Sequence, residues 1–129
     1  DGRVIEGVAE AIAALSPVIR VVAITADTLG TGSVLRDQLG IEVHVIGTGR
    51  EAEAKLDFID ELGADGVVAI GNGANDELML RAAAIGVAVV GGEGCSAAAA
   101  QAADVLVGDI TDALGLLTEP RRMIATLRR

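Results

Sequence analysis

Aromatic side chains are almost absent from this sequence. Phe58 is the sole aromatic residue among 129, and there is no Trp or Tyr. Hydrophobic residues still make up 51% of the chain, so the core must be built from Val, Ile, Leu and Ala. An aliphatic core of this kind is typical of layered α/β folds. The length predicts a single domain over residues 1–129.

Cysteine, histidine and lysine are also scarce. Cys95 is the one cysteine, which excludes an internal disulfide and suits a reducing cytoplasm. His44 has no second histidine or nearby cysteine, so we expect a surface strand residue and not a metal ligand. Lys55 is the single lysine.

The chain also has little positive charge and no long apolar run. Its formal net charge is −9, which opposes binding to nucleic acids or anionic membranes because both need basic surfaces. No apolar run approaches the roughly 20 residues of a membrane helix. A signal-peptide pattern is absent as well. We therefore expect a cytoplasmic protein with no nucleic-acid or membrane partner.

What the sequence does contain is a regular alternation of apolar runs and amphipathic stretches. Uncharged runs such as 67–70 indicate strands buried on both faces. Strands are predicted at 20–25, 41–46, 67–70, 87–90 and 104–107. Helices are predicted at 6–16, 32–39, 50–62, 77–84, 96–103, 110–117 and 120–128. The alternation predicts a three-layer α/β fold: a doubly wound, five-stranded parallel sheet with helices on both faces and strand 41–46 at an edge.

Two of the buried strands end in polar residues. One end is Thr25-Ala26-Asp27, and the other is the turn from Gly71 to Asp76. In a parallel sheet these ends share one edge, where doubly wound folds bind ligands. A hydroxyl at Thr25 and free N–H groups in the turns, including Gly71 and Asn72, suit phosphate oxygens. Lys55, on a helix that returns toward the sheet, could neutralise the phosphate charge.

The same turn could hold a divalent cation. Asp76, with Asn72 or Asn75, offers the oxygen ligands that Mg²⁺ prefers. Each residue also has a purely structural interpretation, as a strand-end cap (Thr25), a solvated helix charge (Lys55), or a turn and helix N-cap (the two asparagines). The sequence Gly-Asn-Gly-Ala-Asn-Asp does not match the dinucleotide pattern G-x-G-x-x-G, and no Walker lysine follows. The combination of these residues on alternating strands favours a phosphate site.

Residues 71–80, GNGANDELML, resemble the fourth motif of the haloacid dehalogenase (HAD) superfamily, in the form found in P-type ATPases and Cof-like phosphatases. The following AAAIGVAVVG is similar to the continuation of that motif. Upstream, VVAIT ending at Thr25 resembles the second motif, and Lys55 lies where the third motif has its lysine. The resemblance implies that Thr25 and Lys55 are catalytic residues that hold the transferring phosphoryl group. It also implies that Asn72, Asn75 and Asp76 bind Mg²⁺.

Two departures from the HAD pattern matter. The nucleophilic aspartate, which the family carries at the end of its first strand, has no counterpart between residues 1 and 129. In addition, Asn72 stands where the family usually has a metal-binding aspartate, which implies weak or absent Mg²⁺ binding. Without the first strand, the order of the HAD-like Rossmannoid sheet becomes 2-1-3-4-5, the flavodoxin-like order. Alternatively, the gap stays open and another segment fills it by strand addition.

The resemblance implies a Mg²⁺-dependent HAD-like phosphohydrolase domain, acting on a small phosphorylated molecule or binding phosphate, that is inactive alone. The alternative is a non-catalytic phosphate- or Mg²⁺-binding domain or a flavodoxin-like domain, as a natural remnant or an engineered truncation. A response-regulator-like module is less favoured because Asp27 lies two residues beyond Thr25. We expect a monomer or a weak homodimer formed through the edge strand 41–46.

Overall fold

A computed structural model describes residues 2–26 and 30–127. The strands are β1 (Val22–Thr25), β2 (Glu42–Val45), β3 (Val68–Gly71), β4 (Ile85–Val89) and β5 (Val105–Val107). The helices are α1 (Gly2–Leu15), α2 (Thr31–Leu39), α3 (Glu51–Leu62), α4 (Glu77–Ala82), α5 (Ala97–Ala102), α6 (Ile110–Thr118) and α7 (Pro120–Leu127). Short 3₁₀ helices span Ala64–Gly66 and Ala74–Asp76. None of these helices combines the length and apolar character that a membrane span requires.

The helices form two groups, one on each face of the strands. Helix α1 contacts α2 and α6, and α6 contacts α7, while α4 contacts α3 and α5 on the other face. Strands and helices alternate along the chain, and every strand pair is parallel. The predicted three-layer α/β class with parallel strands is therefore confirmed.

The strands form two sheets and not one. β1 pairs with β2, and β3, β4 and β5 pair in that order. Strand β2 lies at an edge, as predicted. The order 2-1-3-4-5 also requires a ladder between β1 and β3, and this ladder is not found among the described strands. The two strands nevertheless share core packing, because Ile24 of β1 and Ala69 of β3 belong to the same aliphatic cluster.

The core consists of aliphatic clusters on both faces of the strands. Beneath α3, α4 and α5, one cluster is formed by Ile59, Ala69, Met79, Leu80, Ala83 and Ala99. On the opposite face, Val87, Val105, Ala113, Leu116 and Met123 form a second cluster, and Ile12, Leu15 and Leu114 form a third. Leu80 and Val87 are fully buried. As the composition predicted, aliphatic side chains dominate these clusters, while the sole aromatic residue, Phe58, is buried beside His44.

Gly86 lies inside a strand, although the sequence predicts that it ends the preceding helix. Helix α4 already ends at Ala82, and β4 begins at Ile85. A Cβ atom at Gly86 would lie 2.4 Å from the carbonyl oxygen of Leu80. The glycine therefore permits close packing of helix on strand, which sequence periodicity cannot distinguish from a helix stop.

Other differences occur on helices α2 and α3 and on strand β2. The helical spacing of apolar residues predicts that Val34 in helix 32–39 and Leu62 in helix 50–62 face inward, but they are 49% and 37% exposed. His44 was expected on the surface, yet it is half-buried, and its ring stacks on Phe58 with centroids 4.1 Å apart. An edge sheet offers less apolar surface to cover, so the amphipathic pattern overestimates burial there.

Candidate functional site

The centre of the candidate site is a buried ion pair between Lys55 and Asp76. The Nζ of Lys55, on α3, donates a hydrogen bond to Oδ1 of Asp76 at 2.6 Å and to Oδ1 of Asn75 at 3.0 Å. The two charged side chains are only 13% and 8% exposed. Lys55 thus meets Asn75 and Asp76 at the end of β3, although these residues lie 20 and 21 positions further along the sequence. The sequence predicted a lysine near this polar turn.

Asp76 also organises the turn that follows β3. Its Oδ2 accepts hydrogen bonds from the N–H groups of Asn72 at 2.9 Å and Gly73 at 3.0 Å. A 3₁₀ helix over Ala74–Asp76 turns the chain so that the carboxylate faces back onto this loop. Both carboxylate oxygens are therefore engaged, one by the ammonium group and one by two backbone amides.

Gly71 makes room for this carboxylate. A Cβ atom at Gly71 would lie 2.5 Å from Cγ of Asp76, closer than non-bonded heavy atoms approach. At Gly73, by comparison, the nearest atom to such a Cβ is Oδ1 of Asn75 at 3.4 Å, an ordinary contact. The first glycine of the motif is thus required sterically, and the second is not.

The sequence did not predict the other wall of the site. A polar cleft of about 400 Å³ is lined by Asn72 and Gly73 on one side and by residues 93–96 on the other. The loop is attached to the turn because the N–H of Ser96 donates to the carbonyl of Asn72 at 2.8 Å. The Ser96 hydroxyl in turn caps α5 by accepting from Ala98 N–H at 3.2 Å. A polar loop after a buried strand, here β4, was the available signal.

The remaining predicted residues lie at the end of β1, in the other sheet. Thr25 is the last residue of β1, and its backbone carbonyl accepts a hydrogen bond from the N–H of Ile46 at 2.9 Å. Ala26 follows and is half-buried. Asp27, a predicted phosphate-binding residue, lies outside the described residues. The structure thus brings Lys55, Asn75 and Asp76 together with the turn, whereas Thr25 and Ala26 lie at the end of a separate strand.

The donor set around the turn does not fit a complete Mg²⁺ site. Asp76 contributes the only carboxylate of the predicted ligand set, and its charge is already balanced by Lys55 at 2.6 Å. Asn72 and Asn75 are neutral amides. Among the described residues, no group of three or more His, Cys, Asp or Glu could hold a metal ion. Because Mg²⁺ is bound mainly through carboxylates, phosphates and waters, we assign no metal-dependent step to these residues.

Several solved structures share this architecture. A putative HAD family hydrolase from Streptomyces avermitilis aligns with a TM-score of 0.65 and 22% identity over 80% of this chain and 59% of its own. The catalytic domain of the CPx-ATPase CopB-B aligns with a TM-score of 0.70 and 25% identity over 89% of this chain and 44% of its own. This chain thus spans less than two thirds of both proteins.

A third structure carries ligands. The 3-deoxy-D-manno-octulosonate 8-phosphate phosphatase from Moraxella catarrhalis, solved with magnesium, phosphate and KDO, aligns with a TM-score of 0.68 and 21% identity over 95% of this chain and 76% of its own. Together with the motif at residues 71–80, these alignments define a HAD-like phosphohydrolase fold that resembles both the soluble phosphatases and the P-type ATPase domain.

A sequence relative defines the family of this chain more narrowly than the solved structures do. It is 43% identical over 84 residues to the uncharacterized protein MJ0073 of Methanocaldococcus jannaschii, and the alignment covers 62% of this chain and 90% of that protein. The chain belongs to the same family as this archaeal protein. No established family profile matches the chain.

Proposed function

We propose that this chain is a HAD-like phosphohydrolase domain that binds the phosphoryl group of a small phosphorylated molecule but does not hydrolyse it alone. Lys55 is the phosphate-binding cation, assisted by the Thr25 hydroxyl and by the backbone at Ala26, Asp27 and Gly71. The observation that supports this proposal is the buried position of Lys55 at the end of β3, fixed by Asp76 and Asn75.

The ammonium group of Lys55 can still donate one hydrogen bond to a phosphate oxygen. A lysine ammonium group has three N–H donors, and two of them are directed at Asp76 and Asn75. Since the side chain is 13% exposed, little water screens the charge. A phosphate oxygen that takes the third donor would form a charge-assisted hydrogen bond, which is about twice as strong as a neutral one.

The same geometry argues against turnover. Transfer of a phosphoryl group to the protein needs an activated nucleophile, which in a phosphohydrolase of this type is a carboxylate. The carboxylate of Asp76 is a poor candidate because Lys55 and two backbone amides hold its two oxygens. In this proposal Asp76 positions Lys55 and the turn, and Asn72 reduces the contribution of Mg²⁺ to little or none.

The test is a titration of the ¹⁵N-labelled chain with inorganic phosphate, followed by NMR. We expect shifts at Thr25, Ala26 and residues 71–73, and weaker binding by about tenfold or more in Lys55→Met, which corresponds to roughly 1.4 kcal/mol. Arg81→Met is the matched control, because Arg81 is an exposed cation paired with Glu77 on α4. Thr25→Val, which keeps the side-chain volume, should also weaken binding. Shifts that avoid Thr25 and residues 71–76 would contradict the binding proposal.

Hydrolysis of p-nitrophenyl phosphate with Mg²⁺ tests the second half of the proposal. We expect no turnover above the buffer rate. Turnover that is lost in Asp76→Ala and kept in Asp27→Ala would contradict inactivity and would make the chain an enzyme in its own right. Phosphate binding without turnover supports the non-catalytic binding function.

A further inference from the structure

One wall of the polar cleft beside the turn carries a negative charge. Among the described residues that line this cleft, Glu93 is the only one with a charged side chain. The opposite wall, at Asn72 and Gly73, offers a neutral amide and backbone groups. A ligand that fills the cleft therefore meets one carboxylate, on the side away from the turn that follows β3.

A tight turn presents this carboxylate to the cleft. The N–H of Gly94 donates a hydrogen bond to the carbonyl of Gly91 at 2.9 Å, so residues 91–94 form a four-residue turn. Glu93 is the only residue of this turn that is not a glycine. A Cβ atom at Gly91, Gly92 or Gly94 would meet nothing within 4 Å, so open space surrounds the turn. Glu93 is exposed and accessible to a ligand.

Hydrogen bonds connect this wall to the proposed phosphate site. The N–H of Ser96, at the end of the wall, donates to the carbonyl of Asn72 at 2.8 Å. The N–H of Asn72 donates to Oδ2 of Asp76 at 2.9 Å, and the other oxygen of this carboxylate accepts from Lys55 at 2.6 Å. The wall that carries Glu93 and the ammonium group of Lys55 are thus held on the same turn.

Lys55 and Glu93 give the site two ends of opposite charge. Lys55 has one N–H donor left for a phosphate oxygen beyond its bonds to Asp76 and Asn75. Glu93, by contrast, forms no ion pair with another described residue. A phosphorylated molecule without a positive charge would leave the Glu93 carboxylate unpaired beside its own negative charge. A molecule with a cationic group would pair with both ends.

We propose that the small phosphorylated molecule also carries an amine, whose ammonium group pairs with Glu93 while its phosphoryl group binds at Lys55. This ligand class, the aminoalkyl phosphates and related zwitterions, rests on the phosphate-binding function proposed above. Phosphomonoesters with a second anionic group are disfavoured, because that group would meet the carboxylate of Glu93. The cleft, at about 400 Å³, is in the size range of small-molecule sites and accommodates the carbon chain between the two charges.

Titration of the ¹⁵N-labelled chain with aminoalkyl phosphates at low ionic strength, followed by NMR, tests the proposal. The probes are the terminal amines with two, three or four carbons, each compared with the n-alkyl phosphate in which a methyl group replaces the ammonium group. We expect the best-fitting amine to bind about threefold to fivefold more tightly than its alkyl counterpart, the range of an exposed ion pair. Added salt should reduce this preference because the pair is exposed to solvent.

The substitution Glu93→Gln removes the charge and keeps the size of the side chain. In this variant we expect the amine and its alkyl counterpart to bind equally, and inorganic phosphate to bind at least as tightly as in wild type. Glu119→Gln is the matched control, since it makes the same change in net charge at an exposed carboxylate that is paired with Arg122. It should retain the preference for the amine.

Three outcomes would overturn the proposed ligand class and leave phosphate binding intact. They are equal binding of the amine and its alkyl counterpart by wild type, a preference that Glu93→Gln retains, and a preference that Glu119→Gln loses to the same extent. The last would mean that net charge, and not a contact with Glu93, selects the amine. Inorganic phosphate that causes no shifts at Thr25 and residues 71–73 of wild type would instead refute the phosphate-binding function, and the ligand class with it.

Discussion

The sheet formed by β3, β4 and β5 and the sheet formed by β1 and β2 differ in how they are stabilised. In the first sheet, the central strand β4 is buried along its middle. The side chains of the ion pair at the end of β3 are also buried, with Lys55 13% exposed and Asp76 8% exposed. In the second sheet, every residue of β1 is half-buried. The side chains of its ion pair are exposed, Arg20 by 58% and Glu42 by 52%. Similar interactions should therefore contribute very differently to stability in the two sheets.

Burial decides how much each of these two ion pairs contributes to stability. An exposed ion pair contributes little because solvent screens it, whereas removing one partner of a buried pair leaves an uncompensated charge. The candidate site belongs to the buried sheet, so its residues contribute to stability as well as to the function that we propose. The β1–β2 sheet is less buried, and the ion pair that joins its two strands is exposed.

The largest expected effect is from Lys55→Met. Loss of the ammonium group leaves the Asp76 carboxylate buried without its partner, which should lower the free energy of unfolding by roughly 3–5 kcal/mol. Urea denaturation followed by circular dichroism measures the change. Arg20→Met, in the exposed pair, is the control, and an equal loss in both variants would remove the distinction between the sheets.

The second largest loss in the free energy of unfolding is expected from Leu80→Ala. The side chain is fully buried in the cluster beneath α3 and α4, and such truncations lower stability by about 2–5 kcal/mol. Val45→Ala, at a position of β2 that is 47% exposed, should lower it by less than about 1 kcal/mol. The same denaturation experiment compares them, and a larger effect at Val45 would mean that the β1–β2 sheet is as well buried as its neighbour.

The substitution Gly71→Ala, compared with Gly73→Ala, tests which of the two glycines of the motif is sterically required. Its new methyl group would overlap Asp76, so we expect a loss of about 1–3 kcal/mol from overpacking and a displaced carboxylate. Gly73→Ala, where the methyl group meets only ordinary contacts, should change stability by less than about 0.5 kcal/mol. NMR shifts of the Asn72 and Gly73 amides would report the displacement directly. Unchanged amide shifts in Gly71→Ala would contradict the steric requirement.

The smallest effect concerns the pH dependence of the Arg20–Glu42 pair. Arg20 donates hydrogen bonds to the Glu42 carboxylate, and this lowers the pKa of Glu42. The pair therefore stabilises the fold above the unfolded-state pKa of about 4.3. This contribution is lost as the pH falls through the lowered pKa of the folded state. Wild type should therefore lose a small advantage over Glu42→Gln below about pH 4. Thermal unfolding from pH 6 to pH 3 measures it, and an advantage that grows toward acid pH would contradict the sign.

The sequence predicted the candidate site better than its surroundings. The turn from Gly71 to Asp76 and the proximity of Lys55 were foreseen because the polar residues interrupt a run of apolar ones. The loop at residues 93–96 was missed as a wall of the site because nothing local shows that it folds back onto Asn72. The inward positions predicted for Val34 and Leu62 were wrong since periodicity gives the apolar face of a helix but not how much sheet lies under it.

The sequence by itself determined the class of the fold, because uncharged aliphatic runs alternate with amphipathic stretches and leave no other way to bury them. It also determined the chemistry available at the turn after β3. The tertiary structure alone decided that Asp76 is fully engaged, because its contact with Lys55 joins residues 21 positions apart and adds to the local hydrogen bonds from two backbone amides. It alone showed that β1 and β3 lie in separate sheets, because the pattern of apolar residues identifies a strand but not the strand that pairs with it.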